Sequence, residues 1–173
     1  PALQASAPNR VNIDMEPALL DELYRRPLHD DTLLPARARL GEEAPVQALS
    51  GLRFRGNSSR ALPKKGFHVR FSSGQPVLFG SDRMNLMANW TDPSMQRQTI
   101  ALAMFRDLGL MASRTRQFDL FLNGIYEGLY THVERVDGNL LARYGRREGT
   151  LVRDQFRRDP DMPLSSLFGF DLA

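Results

Sequence analysis

Residues 117–134 read QFDLFLNGIYEGLYTHVE, two runs of strand-forming residues around Asn123-Gly124. A two-residue turn of type I′ needs φ > 0 at both central positions, and Asn-Gly supplies that more cheaply than other pairs. With Leu122 opposite Ile125, period-two alternation sorts the hairpin into two faces. Phe118, Leu120, Leu122, Ile125, Leu129 and Val133 form an expected core face. Asp119, Phe121, Tyr126, Gly128, Tyr130, His132 and Glu134 form a mixed, aromatic one.

Working outward, Asp92-Pro93 opens a helix expected to run to Leu108, with Asp as N-cap, Pro at the first position and Gly109 as the stop. Its stripe of Ala101, Met104 and Leu108 carries Arg97, which must either reach water or find a partner. Further upstream, residues 35–40 and 46–55 alternate around a turn at Gly41–Pro45. Leu52 and Phe54 face one way there, Arg53 and Arg55 the other. Phe67, Val69 and Phe71 mark another strand, with His68 and Arg70 on its opposite face. Val11–Ile13 is a short strand. Pro17 starts a helix that ends before Pro27, and residues 138–144 form a further helix before a strand at Thr150–Val152. Strands, a helix, then more strands give an α+β fold, an antiparallel sheet with packed helices.

The whole chain has 173 residues, 42% of them hydrophobic, with a net charge of +3 and no Cys. That length suits one domain. Without Cys there is no disulfide scaffold, thiolate zinc site or cysteine nucleophile. No apolar run approaches the ~20 residues of a membrane span. His29, His68 and His132 lack metal-ligand spacing, and no GxSxG elbow is present. Of 23 cationic residues only two are Lys, the neighbours Lys64 and Lys65. The Ala- and Pro-rich start is expected to be a flexible leader over residues 1–10. It is compatible with an exported or cell-surface protein. Apolar Leu167, Phe168, Phe170 and Leu172 stand near the last residue.

The segment from Gly56 to Gly66 holds the strongest candidate chemistry. Gly56 permits close backbone approach, Asn57, Ser58 and Ser59 offer short polar groups, and Arg60, Lys64 and Lys65 bring three cations. Such parts build phosphate cradles, although the same composition also makes solvated loops, and no Walker-type GxxxxGK[ST] is present.

These residues carry a family resemblance. RFRGNSSRALPKKGFHVRF, MNLMANWTDPSMQRQTIALAMFRDLGL and FDLFLNGIYEGLYTHVERVDGNLLARYG resemble, in order, three blocks of the CotH family, atypical protein kinases named for a spore-coat protein. The resemblance implies a kinase-like fold, with residues 11–153 as its N-terminal nucleotide-binding lobe and residues 154–173 as the start of a truncated C-terminal part. It implies ATP with Mg or Mn, and a protein Ser or Thr as acceptor. On that mapping Gly56, Asn57, Ser58, Ser59 and Arg60 cover the nucleotide, and Lys64 or Lys65 contacts phosphate. Arg97 stands at the cleft-facing start of the regulatory helix, and Glu134 approaches the interlobe connection. Arg153 stands where the family tends to have Lys. The family's catalytic carboxylates belong to downstream blocks, so this chain alone is expected to be inactive, its partner being the missing lobe. Two alternatives stand beside this one. The first is a non-catalytic binding or coat-assembly module. The second is an anion- or nucleic-acid-binding domain using Arg53, Arg55, Arg60 and Arg70, which the mild net charge makes the weaker for nucleic acid.

Overall fold

The computed structural model describes residues 9–72 and 77–146. Residues 1–8 of the leader expected over 1–10, the strand at Thr150–Val152, Arg153 and the apolar residues Leu167–Leu172 lie outside the described residues. The leader's last two residues are instead structured, Arg10 in a strand and Asn9 O accepting the Asp119 N–H at 2.7 Å. In chain order the elements are β1 (Arg10–Asp14), α1 (Pro17–Arg25), β2 (Leu34–Leu40), β3 (Gln47–Arg55), β4 (Gly66–Phe71), β5 (Arg83–Met87), α2 (Arg97–Asp107), β6 (Thr115–Leu122), β7 (Ile125–Val133) and α3 (Gly138–Arg143). A short 3₁₀ turn at Ser58–Ala61 interrupts the β3–β4 connection. Among the described residues, seven strands and a few helices make an α+β fold.

The strands close into a barrel in the order β1-β2-β3-β4-β5-β7-β6. Neighbours pair antiparallel except β1 and β6, which run parallel, with Val11 opposite Leu120 and Ile13 opposite Leu122. The expected all-antiparallel sheet is therefore mixed. Alternation along each strand sends one residue in two to the interior. Val11, Ile13, Leu52, Phe54, Phe67, Val69, Met84, Leu86 and Leu120 fill it. Helix α1 packs Leu19, Leu20 and Leu23 against this core, and Tyr24 meets Phe54 edge-on at 5.1 Å. The aromatic contacts continue through Phe67 to Tyr130, at 5.6 and 5.9 Å.

The Asn123-Gly124 turn forms as its sequence requires, with φ of +49° and +79° and Leu122 opposite Ile125. Beyond it the facing residues differ from expectation. Leu120 pairs with Gly128 but Phe121 with Tyr126, so Glu127 is an extra residue in β7. This bulge moves every later side chain to the other face. Tyr130 lies opposite Phe118 and is fully buried, and His132 is buried too. Leu129 and Val133 leave the core face, while Ile125, beside the turn, is 68% exposed. Gly128 holds φ +107°, a conformation that side-chain-bearing residues avoid.

Helix α2 also departs from expectation. It starts at Arg97 rather than after Asp92, because Met95 has φ +56° and the chain turns there. Asp92 caps across that turn, accepting from the backbone N–H groups of Ser94 and Arg97 at 3.1 and 2.9 Å. Residues 100–105 are apolar without a break, so their spacing does not select a face. Leu102, Ala103 and Arg106 are half-buried, whereas Met104 and Leu108 of the expected stripe face solvent. None of the described helices is long and apolar enough to cross a membrane.

Candidate functional site

Because the interior of the barrel is apolar, its polar alternates stand on the outer face. On β3, β4 and β5 that rule aligns Arg53, His68 and Asn85 in direct cross-strand register. Arg55 follows Arg53 two residues on, Arg83 precedes Asn85 by two, and Arg135 comes just after β7. Together with Gly56, Asn57 and Arg60 they line an open cleft of about 630 Å³. Arg53 Nη1 is 2.6 Å from the Asp31 carboxylate. The Nε atoms of Arg83 and Arg135 stand 3.5 Å from Asp82 and Asp137. The Arg83 Nε–H is buried and makes no hydrogen bond at that distance. Arg55 donates toward the sulfur of Met87. His68 Nδ1 sits 2.9 Å from Asn85 Oδ1. Burial lowers the pKa of His68, the Asn85 hydrogen bond partly opposes this, and Arg53, Arg135 and Arg83 lower it further. The imidazole is therefore neutral at pH 7 among guanidinium groups.

The loop after β3 roofs one end of this cleft. Gly56 starts it at φ +114°, and a side chain there would strike Ser59. Arg60 is turned inward and is only 5% exposed. Its guanidinium donates to Gly56 O at 2.7 Å, to Leu28 O and Asp30 O at 3.2 and 3.3 Å, and to the Asp31 carboxylate. It thus ties the loop to the segment after α1. Lys65 is likewise committed to the protein, donating to Arg60 O and Leu62 O, both at 2.7 Å.

Lys64 has a different environment. Its ammonium donates to Leu129 O at 2.7 Å and lies 4.4 Å from the centre of the Tyr130 ring. With Ser59, Leu62, Arg55, Met87 and Trp90 it lines a smaller pocket of about 170 Å³. Burial lowers the Lys64 pKa, against the opposing pull of Glu127. Arg55 lines both spaces and joins them.

The candidate residues therefore separate. Gly56, Asn57 and Arg60 line the cleft, and Ser59 and Lys64 line the adjoining pocket. Ser58 is half-buried at the start of the 3₁₀ turn. Arg97 is 76% exposed, is paired with Asp92 at 3.5 Å, and lines neither space. Glu134 is buried between two arginines, 2.8 Å from Arg114 Nη2 and from Arg143 Nη2, and also accepts the Arg114 N–H at 2.8 Å. Burial works to raise its pKa, but these hydrogen bonds outweigh it and hold the carboxyl low. Arg83, Asn85 and Arg135 were not anticipated. The alternation of Met84 and Leu86 with Arg83, Asn85 and Met87 was the available signal for β5. Among the described residues no three His, Asp or Glu side chains could together hold a metal ion.

The family described as CotH kinase protein matches residues 52–168. Inner spore coat protein H of Bacillus subtilis (strain 168) is 28% identical over 139 residues, 75% of this chain. That alignment covers 38% of the relative, so the chain spans well under half of its length.

Proposed function

The chain belongs to the CotH family, and from that premise we propose that it is the nucleotide-binding part of a protein kinase that transfers the γ-phosphoryl of ATP to a protein Ser or Thr. The observation that carries the reading is the outer-face cleft, where five arginines converge beside a glycine-started loop. Guanidinium forks suit phosphate oxygens, and the side chains of Arg53, Arg55, Arg83 and Arg135 all line this cleft. Polyphosphate fits this donor set. Arg53, Arg55, Arg83 and Arg135 would hold it, the backbone at Gly56 and Asn57 would cover it, and Lys64 would supply a further cation from the adjoining pocket. Arg60 and Lys65 would act by fixing the loop. The divalent ion would neutralise phosphate charge when bound, and the reading assigns its ligation to no described residue. Phosphoryl transfer also needs carboxylates that hold metal and orient the acceptor hydroxyl, and we assign them to the remainder of the kinase. The name of the Bacillus relative supports a coat or surface location as part of the same reading.

Calorimetric titration with ATP tests it. ATP and tripolyphosphate should bind, adenosine more weakly, and Lys64→Met should weaken ATP at least about tenfold. Lys65→Met should lower stability more than affinity. No ATP binding would overturn the reading. Tight, salt-sensitive binding of generic DNA instead would favour the nucleic-acid alternative.

A further inference from the structure

We infer that occupation of the outer-face cleft by a polyanion is coupled to uptake of one proton by His68, so that the site binds more tightly as pH falls. The inference rests on the cleft being the phosphate site and adds a regulation to it.

His68 is placed for this by the sheet itself. Its direct partners are Arg53 on β3 and Asn85 on β5, and the three side chains share the outer face. From β3 it meets the charge of Arg53, from β5 that of Arg83, and from the segment after β7 that of Arg135. The compensating carboxylates lie behind these cations. Asp31 contacts Arg53, Asp82 lies near Arg83, and Asp137 near Arg135. Three guanidiniums thus oppose a fourth positive charge on the imidazole while the cleft is empty. Asn85 Oδ1, 2.9 Å from Nδ1, can accept a hydrogen from that nitrogen in either charge state. Protonation at Nε2 therefore breaks no hydrogen bond to Asn85. A bound polyphosphate reverses the local potential, and the imidazolium then gains an opposite charge beside the three guanidiniums. Binding and protonation favour each other by the same factor.

The test is isothermal titration with inorganic tripolyphosphate near pH 6.5 in two buffers of different ionisation enthalpy. The wild-type chain should take up between about 0.3 and 1 proton per ligand, and affinity should weaken by up to about tenfold per pH unit as pH rises through the window. His68→Gln should lose that uptake and flatten the pH dependence, whatever it does to Kd. The ligand's own ionisation is common to both proteins and cancels in the comparison. Binding with equal proton uptake in wild type and His68→Gln would overturn the inference and leave the phosphate site standing. Absence of tripolyphosphate and ATP binding would overturn the site itself.

Discussion

Acidification should weaken the barrel through His132. It is 1% exposed, stacks on Phe79 at 5.4 Å between ring centres, and accepts the Asn85 N–H at Nδ1, 3.1 Å away. Burial pushes its pKa from the ordinary 6.5 down to about 4, despite the raising influence of the Asn85 carbonyl oxygen, 3.2 Å from Nδ1, and of Glu134. Between those values the unfolded chain carries a proton that the folded chain excludes. Stability then rises with pH by roughly 1.4 kcal/mol per unit. Acidification from pH 6.5 to 4 should therefore remove about 3 kcal/mol through this residue alone. Urea unfolding followed by far-UV circular dichroism at half-unit pH steps measures it. His132→Asn keeps a polar atom near Nδ1 and cannot titrate there. It should be less stable at pH 7, having lost the ring contact, but its pH slope between 6.5 and 4 should be shallower by most of that amount. His68 shifts in the same direction in both proteins, and Glu134 loses its ion-pair stabilisation at lower pH. Superimposable pH slopes for the two proteins would refute the reasoning.

Glu134→Gln leaves Arg114 and Arg143 converging on a neutral amide. Discounting for the partial exposure of both arginines, it should cost about 2 kcal/mol, seen as a drop of about 4–8 °C in Tm; a change below about 1 °C would show the ion pairs to be screened out. Gly128→Ala places a Cβ 3.3 Å from Lys64 Nζ on a backbone at φ +107°. It should destabilise by about 1–3 kcal/mol in urea unfolding, and weaken ATP binding if Lys64 is displaced.

What could be read from sequence was local. The Asn123-Gly124 turn needed only its own dipeptide, and the faces of β3 and β4 only their own alternation, so both match the structure. The β7 bulge was missed because a single extra Glu127 leaves the composition of the strand unchanged while inverting its later faces. The phase of α2 was missed because residues 100–105 are apolar on every side. The loop from Gly56 to Gly66 was visible by its glycines and cations. Which cations were already committed was not, since Arg60 is held by Leu28, Asp30 and Asp31, some thirty residues earlier. Arg135 joins the cleft only because closure of the barrel brings the end of β7 beside β5.

The parallel seam between β1 and β6 joins residues about 109 apart in the chain, Val11 to Leu120 and Ile13 to Leu122. During synthesis β1 emerges ahead of β2 through β5, yet one of its two neighbours, β6, emerges only after them. Until then β1 through β5 form an open sheet whose free edges, β1 and β5, can be captured by other chains. Ring closure should consequently be the slow event of folding, set by the entropy of bringing those distant ends together. Deleting residues 10–14 would leave β2 and β6 as unprotected margins, and the first symptom of damage at the seam would be aggregation on refolding.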